Sequence, residues 1–442
     1  MTDLTSQPDK AGLRLGPLWF MPGYTGLNIA TVNLFAFVTI AAITFMGFAQ
    51  PYVLTEILQI PAERQGTLTG NLAAAAEVFG MLFVGFFGAW SDKVGRRPVL
   101  VIGFAMIALS YFLYPLANSE SELVAYRLIF AVGCAAAPIM MSAAIQDSVQ
   151  EASRGKWVAV NSICTAFGVL FMALVLARLP DTFVGLGYAP DVAGRYAFWV
   201  VAGFCVIAGL MVWMGIKRGV TAPDPDRTSV WSTLRAGLRA ARENPRIAVA
   251  YGAAFIGRGD LVIVTAFLSL WVVQYGTANG VETAEALKKG GILFAVVQGS
   301  SLLWSYFMGL IIDRINRLTA LALGVGIATV GYSAVGLLDN PFASIAIPVA
   351  VILGIGEISV VIGAASLVGQ DAPIKIRGTV IGVFSIMGSA GITFATLVGG
   401  MSFDKIGPTA PFMMMGILNL LLFLAALWLR LRERASAAGT AA

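Results

Sequence analysis

Five charged side chains interrupt long apolar stretches of this 442-residue chain: Glu77, Arg127, Arg258, Asp260 and Glu357. Carboxylates can take up and release a proton there, and guanidinium groups can hold an anionic part of a solute. Each charge in hydrocarbon costs about 2.5–3.5 kcal/mol even on insertion scales, so such residues usually line a pathway; a structural ion pair between helices is the competing reading. The chain has no histidine. A proton-coupled mechanism must therefore rest on carboxylates, whose proton affinity rises on burial. Glu77, Asp260 and Glu357 are the candidates, Glu77 foremost because no cation lies near it in its own run. Arg127 and Arg258 would bind substrate or drive a proton off a neighbouring carboxylate. Asn33, Gln298 and Trp304 are further substrate-binding candidates, with helix packing as their alternative role. Arg258 and Asp260 lie two residues apart, about 200° around a helix. They face different ways unless Gly257 and Gly259 break that helix.

The elements that must position these groups are membrane helices. The chain is 58% hydrophobic and 12% charged with a mean hydropathy of +0.82, whereas a soluble chain carries roughly a quarter charged residues. Twelve apolar runs are each about long enough to cross 30 Å of hydrocarbon as a helix. With both termini cytoplasmic, 21 of the 29 Lys and Arg fall in inside segments and 6 in outside ones. That bias obeys the positive-inside rule in one orientation only. The net charge of +5 is thus a topology signal, and nucleic acid is not expected as a partner. The first 26 residues lack a cleavage-site pattern and are not expected to be a cleaved signal; Trp19 and Phe20 are expected at the cytoplasmic interface. Cys134, Cys164 and Cys205 all lie in apolar runs and read as small hydrophobes. No metal or cofactor is called for.

A charged motif occurs twice. Gly88, Asp92, Lys93, Arg96 and Arg97 belong to one copy, and Gly309, Asp313, Arg314 and Arg317 to the other. Both read G-x-x-x-D-[KR]-x-x-R, 221 positions apart. Gln146-Asp147 and Gln370-Asp371 repeat at an offset of 224, and Arg154-Gly155 and Arg377-Gly378 at 223. Three matches nearly in register argue for duplication. Asp92 and Asp313 can cap a neighbouring helix end, and Arg96 and Arg317 can pair with Asp147 and Asp371. The midplane charges do not repeat: Glu77 falls on Gln298 at the 221 offset. Residues that differ between the halves are the better candidates for solute and ion chemistry. The expected domains are a cytoplasmic segment 1–26, a six-helix bundle 27–216, a cytoplasmic linker 217–246, a second six-helix bundle 247–430 and a tail 431–442. In the linker, Pro223 and Pro225 break the chain. Trp231, Leu234 and Leu238 then recur at helical spacing opposite Arg235, Arg239 and Arg242, a pattern suited to an anionic leaflet or to a solvated linker helix.

At these residues the chain resembles the major facilitator superfamily, over about residues 27–430. The loop Gly88 to Arg97 matches that superfamily's loop between helices 2 and 3. Arg127 through Pro138 matches its helix 4 pattern, with Ala131 in place of a glycine. The G-x-x-x-G-P motif of drug–proton antiporters is missing: Val158 to Arg178 holds a lone Gly168 and no proline. The resemblance implies an all-α membrane protein of twelve helices in two pseudo-symmetric bundles, with helices 1, 4, 7 and 10 lining a central cavity. It also implies a cytoplasmic gate of Gly88, Asp92, Lys93, Arg96, Arg97, Asp147, Gly309, Asp313, Arg314, Arg317 and Asp371 that latches the halves.

The expected function is transport of a small organic solute, coupled to protons and working by alternating access. The protein would be a monomer in the lipid bilayer of a bacterial-type inner membrane. The alternatives are an efflux antiporter for drugs or amphiphilic metabolites, an uncoupled facilitator, or a transporter-like receptor. No G-x-x-x-x-G-K-[ST] loop is present for a nucleotide-driven pump, and without histidine the usual acyl-transfer and metal-hydrolysis sites of an enzyme are hard to assemble.

Overall fold

Backbone in lipid must satisfy its own hydrogen bonds, and the apolar runs accordingly fold as long helices. The structure is a computed structural model that describes residues 12–217 and 230–439. Pro223 and Pro225 lie outside the described residues. A short hairpin, β1 (Arg14–Leu15) and β2 (Leu18–Trp19), leads into α1 (Gly26–Tyr52), α2 (Ala62–Val94), α3 (Arg96–Leu113) and α4 (Glu120–Ser148). Then follow α5 (Arg154–Leu174), the short α6 (Leu179–Gly185), α7 (Pro190–Gly215) and α8 (Val230–Glu243). The chain continues through α9 (Pro245–Ala278), α10 (Thr283–Arg314), α11 (Arg317–Gly336), α12 (Ala346–Asp371), α13 (Arg377–Lys405) and α14 (Ala410–Gly439). Among the described residues, 11 helices are long and apolar enough to cross a membrane. The remaining apolar run lies in α4, which is not among those 11.

Local chemistry sets the helix ends. Ser119 caps α4 by accepting from the Glu122 amide. Asn244 caps α9, and Pro245 supplies a fixed φ in its first turn. The repeated loop is closed differently in its two copies. Gly95 turns the first at φ 89, a conformation that favours glycine. Asn316 takes the equivalent place in the second and caps α11 through its side chain to the Leu318 amide.

Contacts divide the chain into two units. One comprises Met1–Ala49, Glu56–Leu58 and Ala76–Asp224; the other comprises Gln50–Thr55, Gln59–Ala75 and Pro225–Ala442. In the first, α3 packs on α4 and α7. In the second, α11 packs on α12 and α14, and α9 on α12 and α13. A Cβ on Gly391 of α13 would run into the Phe255 carbonyl of α9, so these two backbones cross at the distance that only glycine allows. The helix α8 lies against α13 and α9. From Leu234 onward its buried residues are Gly237 and Ala240, whereas Leu238 is exposed together with Arg235, Arg239 and Arg242. Small residues thus take part in the face packed against α13 and α9, with Leu234 half-buried beside them.

The N-terminal segment also differs from expectation. Phe20 is fully buried and meets Trp157 edge-on with ring centroids 4.9 Å apart. Its carbonyl accepts from Gln150 Nε2 at 2.9 Å, and the Met21 amide donates to the Ser148 carbonyl at 3.0 Å. The hairpin is thus strapped to the turn between α4 and α5. An aromatic beside a polar backbone edge found protein partners there in place of the membrane interface.

Candidate functional site

The first copy of the charged motif forms the network its spacing suggests. Arg96 Nε donates to Asp147 Oδ2 at 3.2 Å, its Nη1 donates to Ser91 Oγ at 3.3 Å, and Asp92 stands 4.0 Å away. Arg97 is buried with its guanidinium 4.3 Å from the Trp213 ring centroid. Lys93 is exposed and Gly88 half-buried. A cavity of about 500 Å³ opens beside Arg96, with Tyr24, Asn28, Asp147, Arg154 and Lys217 among its lining. Burial pushes the Tyr24 hydroxyl above its usual range, as does the Asp147 charge, while Arg96 opposes them.

The second copy is wired otherwise. Asp371 pairs not with Arg317 but with Arg246, at 3.5 Å. Arg246 also grips Glu433 with two bonds, Nε to Oε1 at 2.6 Å and Nη2 to Oε2 at 2.9 Å. Arg430 joins Glu433 to Thr319. Arg317 instead donates to the Ser366 carbonyl at 3.4 Å, and Asp313 and Arg314 are exposed, with Gly309 half-buried. The physical reason is reach. Arg246, in the first turn of α9, spends Nε and Nη2 on the two oxygens of Glu433 and turns Nη1 to Asp371, so one planar guanidinium bridges both carboxylates. Glu433, a lone carboxylate among Arg430, Arg432 and Arg434, was the overlooked signal.

At mid-helix, α9 runs unbroken through Gly257 and Gly259. Arg258 and Asp260 accordingly face apart. Arg258 is exposed, while Asp260 is completely buried. An arginine at that depth belongs at a water-filled space rather than in lipid. Both oxygens of Asp260 receive Asn419 Nδ2 of α14 at 3.1 Å. The Tyr332 hydroxyl of α11 stands next to Asp260 without closing a hydrogen bond. Glu357 of α12 is also buried, beside Gln298 of α10, and its Oε2 has no hydrogen-bond partner among the described residues. No cation pairs with Asp260 or Glu357 among the described residues. Asn419 and Tyr332 were not anticipated; Asn419 is the one polar side chain amid the apolar residues of α14 from Pro411 to Trp428.

The other candidates separate by role. Trp304 Nε1 donates to Ser359 Oγ at 2.9 Å, tying α10 to α12. Asn33 bonds back to the Ile29 carbonyl and accepts from Cys164 Sγ at 3.6 Å. These bonds tie α10 to α12 and α1 to α5. In the first unit Arg127 is buried, its guanidinium 5.2 Å from the Phe130 ring, and its Nε and Nη1 have no hydrogen-bond partner among the described residues. Glu77 is only half-buried.

An all-helical membrane protein with a duplicated charged loop and ionisable groups inside its spans is a transport protein rather than an enzyme. The chain belongs to the Major Facilitator Superfamily, whose family model matches residues 32–396. The magnetosome protein MamH of Paramagnetospirillum magneticum is 29% identical over 90% of this chain and 91% of its own length. The class D tetracycline resistance protein of Salmonella ordonez is 29% identical, over 40% of this chain and 42% of its own. In fold, the crystal structure of the nucleoside transporter NupG superposes with a TM-score of 0.72 at 13% identity, covering 91% of this chain and 98% of that one.

Proposed function

We propose that this protein is a proton-coupled secondary transporter of a small organic solute, with Arg258 as a solute contact and Asp260 with Glu357 as the proton-carrying pair. The observation that carries the reading is the division of labour on α9. Within one turn Arg258 is exposed while Asp260 is fully buried, and no cation pairs with Asp260 among the described residues. Leaving an unpaired carboxylate there costs several kcal/mol, and taking up a proton removes that cost. Proton uptake at Asp260 or Glu357 would alter how α9, α12 and α14 pack, beside the arginine that meets the solute. Arg127 is a second anion-binding candidate, and Glu77 stays a candidate for the proton. Alternating access between the two repeats would complete the cycle. The cation bias supports a bacterial-type inner membrane with both termini in the cytoplasm.

The test is reconstitution in liposomes with an internal pH dye, screening organic acids, sugars and amphiphilic cations. Wild type would be compared with Glu357→Gln, Asp260→Asn and Glu77→Gln. Loss of substrate-dependent proton movement in the first two supports the pair. Loss in Glu77→Gln alone transfers the role to Glu77, and labelled solute crossing with no proton movement in any protein removes coupling altogether. A second reading, efflux of drugs or amphiphilic metabolites, is favoured by the tetracycline resistance relatives. It is tested by including tetracycline in the same screen.

A further inference from the structure

We propose that Asp404 is a latch residue of the transport cycle: it closes the end of α2 opposite the Asp92 loop by holding the start of that helix onto α13. The inference deepens the alternating-access reading and rests on it. Asp404 Oδ1 accepts the Gly66 amide at 2.8 Å and Oδ2 accepts the Thr67 amide at 2.6 Å. Both oxygens of one carboxylate are thus spent on consecutive backbone amides near the positive end of α2, the geometry of a charge-assisted anion site. Nothing local explains an acid at this place. Asp404 lies in the last turn of α13, where the helix's own dipole favours a cation. Its position makes sense only through α2.

The surrounding contact is built for close approach and release. A Cβ on Gly70 would strike the Thr396 carbonyl, and one on Gly400 would strike the Gly66 carbonyl. Gly66 and Gly70 are four residues apart, one face of α2, so the two helices cross backbone to backbone. From α9, Gln274 Nε2 donates to the Ala62 carbonyl at 2.9 Å and to Gln65 Oε1 at 3.2 Å. Residues Gln59–Ala75 therefore cluster with the second unit, whereas from Ala76 onward the same helix belongs to the first and runs on to Asp92. A helix divided in this way must change partners at one end if the repeats move against each other. Directional amide–carboxylate bonds suit that end because they weaken steeply with small displacements. The sequence also carries a carboxylate in the first repeat at the same offset as the Arg154/Arg377 pair: Asp181 precedes Asp404 by 223 positions.

The experiment needs no substrate, so its failure is distinguishable from failure of the transport assay. Cys134, Cys164 and Cys205 are replaced by Ala, and Thr396→Cys supplies a reporter at a fully buried position under Gly70. Labelling by a membrane-impermeant maleimide is timed from each face of the membrane. Asp404→Asn should accelerate labelling about tenfold, from the face opposite the Asp92 loop only, and Asp404→Ala more. Gly70→Ala, which wedges the crossing without touching the carboxylate, should do the same. Size-exclusion elution identifies variants that keep their fold. Folded Asp404→Asn and Gly70→Ala proteins that label at the wild-type rate would overturn the latch, as would acceleration from the Asp92 face.

Discussion

Replacing Asn419 by Ala isolates the buried polar contact at the centre of the second repeat. Asn419 Nδ2 has two protons. One is taken by the Met415 carbonyl at 3.0 Å, and the other is shared by the two oxygens of Asp260 at 3.1 Å each. The shared proton therefore counts as one hydrogen bond to an acidic acceptor, worth about 1.5–3 kcal/mol. Both partners are completely buried, so water does not replace what is lost. Trimming the amide also removes packing, roughly 1 kcal/mol for so small a group. Asn419→Ala should thus destabilise the folded protein by about 3 kcal/mol, read by thermal or denaturant unfolding in detergent. In an Asp260→Ala background only the packing part should remain, which leaves a coupling energy near 2 kcal/mol. A coupling below about 0.5 kcal/mol would show that Asn419 does not hold Asp260, and the proton-pair reading would lose its positioning residue.

Arg258→Ala should raise the transport KM about tenfold or more while leaving stability within about 0.5 kcal/mol of wild type, because the side chain is exposed; an unfolded variant contradicts this placement. Phe20→Ala should cost about 3–5 kcal/mol, since the ring is fully buried against Trp157. A near-neutral result in the same unfolding assay would return the N-terminal segment to the membrane interface. Arg246→Ala should destabilise more than Arg317→Ala, by about 1–2 kcal/mol after solvent screening, because only Arg246 bridges Glu433 and Asp371. Equal costs, or a cost independent of salt, would count against the asymmetric wiring.

Much of this protein was written in its sequence. Periodicity and length alone make helices of the apolar runs, because lipid leaves the backbone no other partner. The duplicated motif argues for two repeats, and in the first copy its spacing also pointed to the Arg96–Asp147 contact, which joins the start of α3 to the end of α4. The opposed directions of Arg258 and Asp260 follow from helical geometry once α9 is continuous. What the sequence could not decide were choices among competing partners in three dimensions. Asp371 had Arg317 as its expected partner, yet it pairs with Arg246, distant in the chain and already fixed by its two bonds to Glu433. Asn419 lies 159 positions from Asp260, and no local pattern connects them. Phe20 had the membrane interface available and is held instead through its carbonyl, which accepts from the Gln150 side chain, and through the neighbouring Met21 amide, which donates to the Ser148 carbonyl. Local order is a property of neighbouring residues, so composition and spacing determine it. A side chain's partner depends on which distant groups the fold brings within about 3 Å, and only the tertiary structure decides that.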